Sequence, residues 1–343
     1  MVEHDSSSVA REQRRLVRLD GAEQPFGPCP AALEAMNVAD RQGWPETERD
    51  LCRRLGMAFH VSSDAIALWP GIEPLLQRIL TGQQRPIVVF PPSTHLLSDG
   101  ESADVEFVSV TRAAGRRSVI DAEAAADLSP DSVAYIDSPS DPLGAIVPAV
   151  DVVRLARACR YVVVDERYAE YAGMTLLPLV REFDNLVILR TFETWAGLAQ
   201  APCAWVVGAA RTRHAIGLSG ERPGDDAIAA ACATLDNLPV VEATLRLMRD
   251  ERSRVYRLLR KFSFLEPLPS WAPFVASRVQ LFERNEVWSR LAALGVLLHA
   301  PQEPGLEQYL RIGIGPRPAM DRLRLALGEI AQELLPAARM ASR

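Results

Sequence analysis

Between Ser62 and Gly208 the chain repeatedly sets a short apolar run beside a helical stretch, and few folds accommodate that rhythm. The runs are AIALW (65–69), PIVVF (86–90), VEFVSV (105–110), SVAYID (132–137), YVVVD (161–165), LVILR (186–190) and CAWVVG (203–208). Strands this continuously apolar and rich in β-branched residues are buried on both faces. The stretches between them, such as IEPLLQRIL and AVDVVRLARAC, carry helical periodicity. Strands alternating with helices predict a three-layer α/β/α domain around a mostly parallel sheet. A long amphipathic helix is expected from Leu238 to about Lys261. Beyond it VASRVQLF, VLLHA and YLRIGI read as short strands of a smaller α+β unit, closed by the helix MDRLRLALGEIAQELL. The expected organisation is an arm over 1–18, a small α+β domain from 19–55 and 250–343, and a large α/β domain over 56–249.

Charge and composition exclude several roles. A net charge of -6 without a long basic block argues against nucleic acid or an anionic membrane surface as partner. The first twenty residues have no apolar core, and no apolar run reaches spanning length, which predicts a cytoplasmic protein. Cys29, Cys52, Cys159, Cys203 and Cys232 are scattered and form no C-x-x-C pair, so reduced thiols are expected. The five histidines form no metal-spaced cluster. Of 38 basic residues only Lys261 is a lysine, leaving 38 - 1 = 37 arginines. Chemistry that needs an amine therefore has one side chain to draw on.

Ligands of parallel sheets sit outside the carboxyl ends of the strands. Three consecutive ends are chemically loaded here. YVVVDERY places Asp165 at a strand end with Tyr168 three residues on. YIDSPSDPLG leaves a strand through Pro, Ser and Asp, with Gly144 giving backbone freedom, and RTFETWAGL carries Glu193 and Thr194.

These segments match a family. Taken in order, LDGAEQPFGPCPAALEAM, WPGIEPLL, DSPSDPLGAIVP, VVVDERYAEY, LVILRTFETWAGLAQAPCAWVVG and YLRIGIGPRP resemble the fold-type I pyridoxal-phosphate-dependent aminotransferases of class I/II. Within them the likeness is to the histidinol-phosphate aminotransferase branch, from Arg18 to the last helix. In that family the turn at 190–198 reads Arg-Thr-Phe-Ser-Lys-x-x-Gly-Leu, and its lysine holds the cofactor as an imine. The resemblance puts Thr194 at the lysine, where no imine can form and the hydroxyl is a poor base. It puts Glu193 at a phosphate-binding serine, Pro202 at a phosphate-binding arginine, and Pro70-Gly71-Ile72, followed by Glu73, at the phosphate-cradling turn. Trp44 stands for a tyrosine reaching across from the partner subunit, Asp141 for an asparagine on the ring hydroxyl, and His95 is the one ring near the stacking position.

Other positions persist. Asp165 matches the aspartate that pairs with the pyridinium nitrogen, Tyr168 the tyrosine on the ring hydroxyl, and Arg311 the arginine that holds the substrate carboxylate. Structural readings stand beside these: a scaffold ion pair for Arg190, a buried carboxylate paired with a nearby arginine for Asp165, an interdomain salt bridge for Arg311, and a loop histidine for His95. The resemblance implies a lysine-less pseudoenzyme in a dimer, with no covalent cofactor. Its cleft would bind a small anionic, amino-acid-like ligand through Arg311, or run cofactor-independent chemistry with Glu193, Asp141, Asp165 and His95 as acid/base groups. Two alternatives remain: a non-catalytic subunit paired with an active paralogue, or an enzyme that holds pyridoxal or pyridoxamine phosphate non-covalently.

Overall fold

A computed structural model describes residues 16–42, 47–81, 85–92, 107–109, 112–113, 119–120 and 127–341. In chain order its strands are β1 (Val17–Leu19), β2 (Ile66–Trp69), β3 (Ile87–Val89), β4 (Phe107–Ser109), β5 (Arg112–Ala113), β6 (Val119–Ile120), β7 (Val133–Asp137), β8 (Tyr161–Asp165), β9 (Leu186–Thr191), β10 (Ala204–Val207), β11 (Leu265–Pro267), β12 (Phe274–Val279), β13 (Val296–Leu298) and β14 (Tyr309–Gly313). The seven apolar runs of the sequence become one seven-stranded sheet in the order β2-β10-β9-β8-β7-β3-β4. All of its pairings are parallel except those of β10, which runs against both β9 and β2.

Alternation along the strands explains why both faces are covered. Val162, Val164 and Ile188 pack into the larger core, while Val163, Val187 and Leu189 pack into a second core with Leu75, Leu76 and Ile79 of the helix Ile72–Thr81. The expected long helix is Leu238–Leu259, and the last helix runs Arg317–Ala341. β11, β12 and β14 form an antiparallel sheet, and β1 pairs in parallel with β13. Within 19–55, expected in the small unit, the helix Pro30–Gln42 instead packs through Ala35 and Ala39 on Ala229 of the helix Asp225–Asp236. Small side chains allow that close approach, and the helix Glu48–Phe59 follows it onto β2. Among the described residues no single helix is long and apolar enough to cross a membrane.

The register aligns the strand ends. Asp137 lies opposite Asp165, and Ala204 lies opposite both Thr191 and Trp69. The three loaded turns of the sequence therefore leave the sheet on one edge.

Candidate active-site cleft

That edge opens into a cleft of about 590 Å³, lined among others by Arg18, Asp20, Glu23, Ile72, Glu73, Arg167, Tyr168, Glu193, Thr194 and Arg311. Asp141 and Asp165 lie directly behind this wall, each 0% exposed. Six of the expected site residues, Asp141, Asp165, Tyr168, Glu193, Thr194 and Arg311, thus converge. His95 and Trp44 lie outside the described residues. Lys261 is exposed in the turn after the helix Leu238–Leu259 and does not line the cleft.

Asp165 is held from three sides. The Tyr135 hydroxyl of the neighbouring strand donates to its Oδ2 at 2.7 Å. Arg167 chelates it: the backbone N–H reaches Oδ1 at 3.0 Å, while Nε and Nη2 reach Oδ2 at 2.9 and 2.7 Å. Burial works against the Arg167 charge, and the Asp165 carboxylate more than restores it, raising its pKa well above the ordinary value. Burial and the same carboxylate push the Tyr135 phenol well up. Arg167 is the nearby arginine that the structural reading of Asp165 left unnamed. Its signal was present in DERY, a basic residue two positions past a strand-end acid, but such pairs usually lie in solvent.

Asp141 is held equally firmly. Arg311 Nη1 lies 2.8 Å from its Oδ1 and 2.6 Å from its Oδ2, and Tyr168 donates to Oδ2 at 3.0 Å. Arg311 Nη2 donates to the Asp20 carbonyl at 2.7 Å, and the guanidinium lies 5.1 Å from the centre of the Phe274 ring. This pair joins the exit of β7 to β14, 170 residues along the chain. Two expectations change as a result. Asp141, buried and ion-paired, is a poor acid/base group, and Arg311 meets a carboxylate of its own chain before any ligand arrives. Burial and the Asp141 charge push the Tyr168 phenol well up. The turn itself needs Gly144 at φ +72°, where a side chain would also strike Ser270.

The third turn carries Glu193 and Thr194. Glu193 Oε1 accepts from the N–H of Ile72, the first residue of its helix, at 2.7 Å, and from the Thr191 hydroxyl at 2.8 Å. A carboxylate there meets unpaired N–H groups and the positive end of the helix dipole. Burial raises the Glu193 pKa, while the bonds from Thr191 and Ile72 pull the other way. Gly71, at φ +120°, shapes the turn in front of the helix; a side chain on it would come within 3.1 Å of Pro202 Cβ and 3.3 Å of Glu193 Oε1. Thr194 is buried, and its hydroxyl donates to the Arg167 carbonyl at 2.6 Å. Its own carbonyl accepts from Tyr171 and from the Gln24 N–H, both at 2.9 Å.

Arg190 sits deeper, in a scaffold cluster. It donates to Glu166 through Nη2 at 2.8 Å and to Glu170 through Nη1 at 2.7 Å, and it lies 5.1 Å from the centre of the Phe59 ring. Burial pushes Glu170 up to about 7, against the pull of Arg190.

Comparison with known proteins places this geometry. The family model for aminotransferase class I and II matches residues 31–327. The chain belongs to this family. It is 27% identical over 337 residues to the histidinol-phosphate aminotransferase of Dehalococcoides mccartyi, covering 94% of this chain and 93% of that one. The chloroplastic histidinol-phosphate aminotransferase of Nicotiana tabacum is 27% identical over 331 residues, covering 90% and 78%. Among solved structures, histidinol-phosphate aminotransferase from Sinorhizobium meliloti in complex with pyridoxal-5'-phosphate superposes with a TM-score of 0.79 at 26% identity, covering 97% of this chain and 96% of that one. The enzyme from Clostridium acetobutylicum, at 17% identity and a TM-score of 0.81 over 92% and 99%, shares the fold. The three-layer α/β/α architecture with a mostly parallel sheet is that of the fold-type I pyridoxal-phosphate-dependent transferases.

The residues present do not fit pyridoxal phosphate. The acceptor for a ring nitrogen, Asp165, is saturated by Arg167 and Tyr135. The helix N-terminus that would face a phosphate holds Glu193. Thr194, which the sequence resemblance sets at the imine-forming lysine, has its hydroxyl bonded to a backbone carbonyl.

Proposed function

We propose that this aminotransferase-family chain does not transaminate and keeps its cleft as a ligand site independent of pyridoxal phosphate. The observation that carries the proposal is Glu193 on the N–H of Ile72 at 2.7 Å. A phosphate dianion brought there would meet a carboxylate, and two like charges at 4 Å repel by roughly 4 kcal/mol at an effective dielectric of about 20. The Thr194 hydroxyl and the remote, exposed Lys261 support the same reading. Glu193 is the acid/base candidate best suited to cofactor-independent chemistry, because it is half-buried, lines the cleft and is not ion-paired to an arginine within it. A small anionic ligand would bind Arg311 through Nε, which has no hydrogen-bond partner among the described residues, or by exchanging with Asp141 at Nη1.

The test is a half-reaction: the purified chain with pyridoxal phosphate and L-histidinol phosphate, the substrate named for its relatives, followed by absorbance. No conversion of the cofactor is expected. Conversion at a rate above that of free cofactor overturns the proposal.

A second reading, a non-catalytic subunit, is favoured by one observation. Phe26, Leu33 and Val38 in the N-terminal segment expose 52%, 49% and 39% of their surface, and exposed large apolar side chains suit a subunit contact.

A further inference from the structure

The buried charged groups of the cleft find partners without any ligand: Asp165 pairs with Arg167 and Asp141 with Arg311, while Glu193 is held by hydrogen bonds. Three positions carry the family's ligand contacts, and each is filled by a side chain with the sign of the ligand group it would exclude. The Arg167 guanidinium occupies Asp165, where a pyridinium nitrogen would pair. The Glu193 carboxylate occupies the helix N-terminus, where a phosphate would sit. The Asp141 carboxylate occupies Nη1 of Arg311, where a substrate carboxylate would bind.

We infer that Arg167 and Glu193 are built-in occupants of the cleft, excluding a pyridoxal-type ligand at two separable points, the ring end and the phosphate end, independently of the missing lysine. This rests on the reading above that the chain works without the cofactor, and it adds which side chains enforce it. Arg167 is suited to the role by its fixed geometry. Its backbone N–H and its guanidinium grip the same carboxylate, its carbonyl takes the Thr194 hydroxyl, and it is 4% exposed. A ring entering beside Asp165 must therefore break a chelated, buried pair. At the other end Glu193 is fixed by Ile72 and Thr191, and Gly71 and Pro202 close the turn around it. The Glu73 carboxylate lies 3.6 Å from Arg167 Nη1 at the rim and adds to the negative charge that an incoming phosphate would meet.

The test uses the full chain and two probes without an aldehyde, so that lysine chemistry cannot enter: pyridoxine, which has the ring alone, and pyridoxine 5'-phosphate. Binding is measured by calorimetry on wild type, Arg167→Ala, Glu193→Ser and the double variant. Arg167→Ala should bind pyridoxine at least about tenfold more tightly than wild type, about 1.4 kcal/mol, and Glu193→Ser alone should gain for neither probe. The phosphate ester should outbind pyridoxine only when both residues are changed. In Arg167→Ala, low concentrations of guanidinium ion should raise the melting temperature and compete with pyridoxine, which a purely structural role for Arg167 would not produce. Should Arg167→Ala not fold, Asp165→Asn/Arg167→Ala removes the orphaned charge as well. That variant should bind the uncharged ring of 3-hydroxypyridine, and wild type should not. No gain for any probe in a folded variant lacking Arg167 overturns the inference, as does wild type binding the phosphate ester as tightly as the double variant. Turnover by wild type with pyridoxal phosphate would instead overturn the proposed function, so the two failures are distinguishable.

Discussion

Replacing Arg311 with alanine separates an ion pair from a ligand site. In the folded chain Arg311 meets both oxygens of Asp141, which is 0% exposed, and the two residues tie the large sheet to the small one. Removing one partner of a buried pair leaves an uncompensated charge, which costs about 3–5 kcal/mol. The Tyr168 hydroxyl, 3.0 Å from Asp141, remains and offsets part of that cost, so the loss should fall near the lower end of the range. Urea unfolding followed by circular dichroism reads it as a shift of midpoint at constant slope. Asp141→Asn/Arg311→Ala removes both charges and should recover most of the loss. A change within about 0.5 kcal/mol for Arg311→Ala alone, typical of unpaired surface positions, would refute the pairing and restore Arg311 as a free anion site.

Three further outcomes are expected. Glu170 is lifted from its ordinary 4.5 to about 7 by burial, equivalent to roughly 3 kcal/mol; stability should fall by that order as pH rises from about 4.5 to 7, and Glu170→Gln should flatten the dependence. Thr194→Lys alone should give no visible absorbance band with pyridoxal phosphate, because Glu193 and Pro202 still face the phosphate end; adding Glu193→Ser and Pro202→Arg should improve binding, and a strong band from the single change at low cofactor would contradict this. Light scattering should show a homodimer, or a heterodimer when an active aminotransferase is supplied, and a stable monomer without a partner in pull-downs would count against both.

The fold was legible because its signal is physical and local. A strand buried on both faces must be apolar at every position, so LVILR and YVVVD announced β9 and β8 nearly to the residue. The packing partner of the helix Pro30–Gln42 was not legible, because its alanine-rich face fits any close helix and nothing in Ala35 or Ala39 names Ala229. That the loaded turns meet at one cleft was legible too, since they follow successive strands of a parallel sheet. Its charge state was not. Arg311 and Asp141 are 170 residues apart, so the sequence could offer an anion site and a salt bridge as rival readings without choosing between them. For Asp165 the sequence offered a buried pairing with a nearby arginine without singling out Arg167; the burial of Asp165 at the end of β8 turns the two into a chelate.

The most direct test of the central claim is to incubate the wild-type chain with pyridoxal phosphate, reduce with borohydride and map the modified peptides. With Thr194 bonded to the Arg167 carbonyl and the single lysine exposed away from the cleft, the account predicts no stoichiometric adduct and no cofactor retained after dialysis. A one-to-one adduct at Lys261, with the cofactor protected from solvent in the cleft, would contradict it.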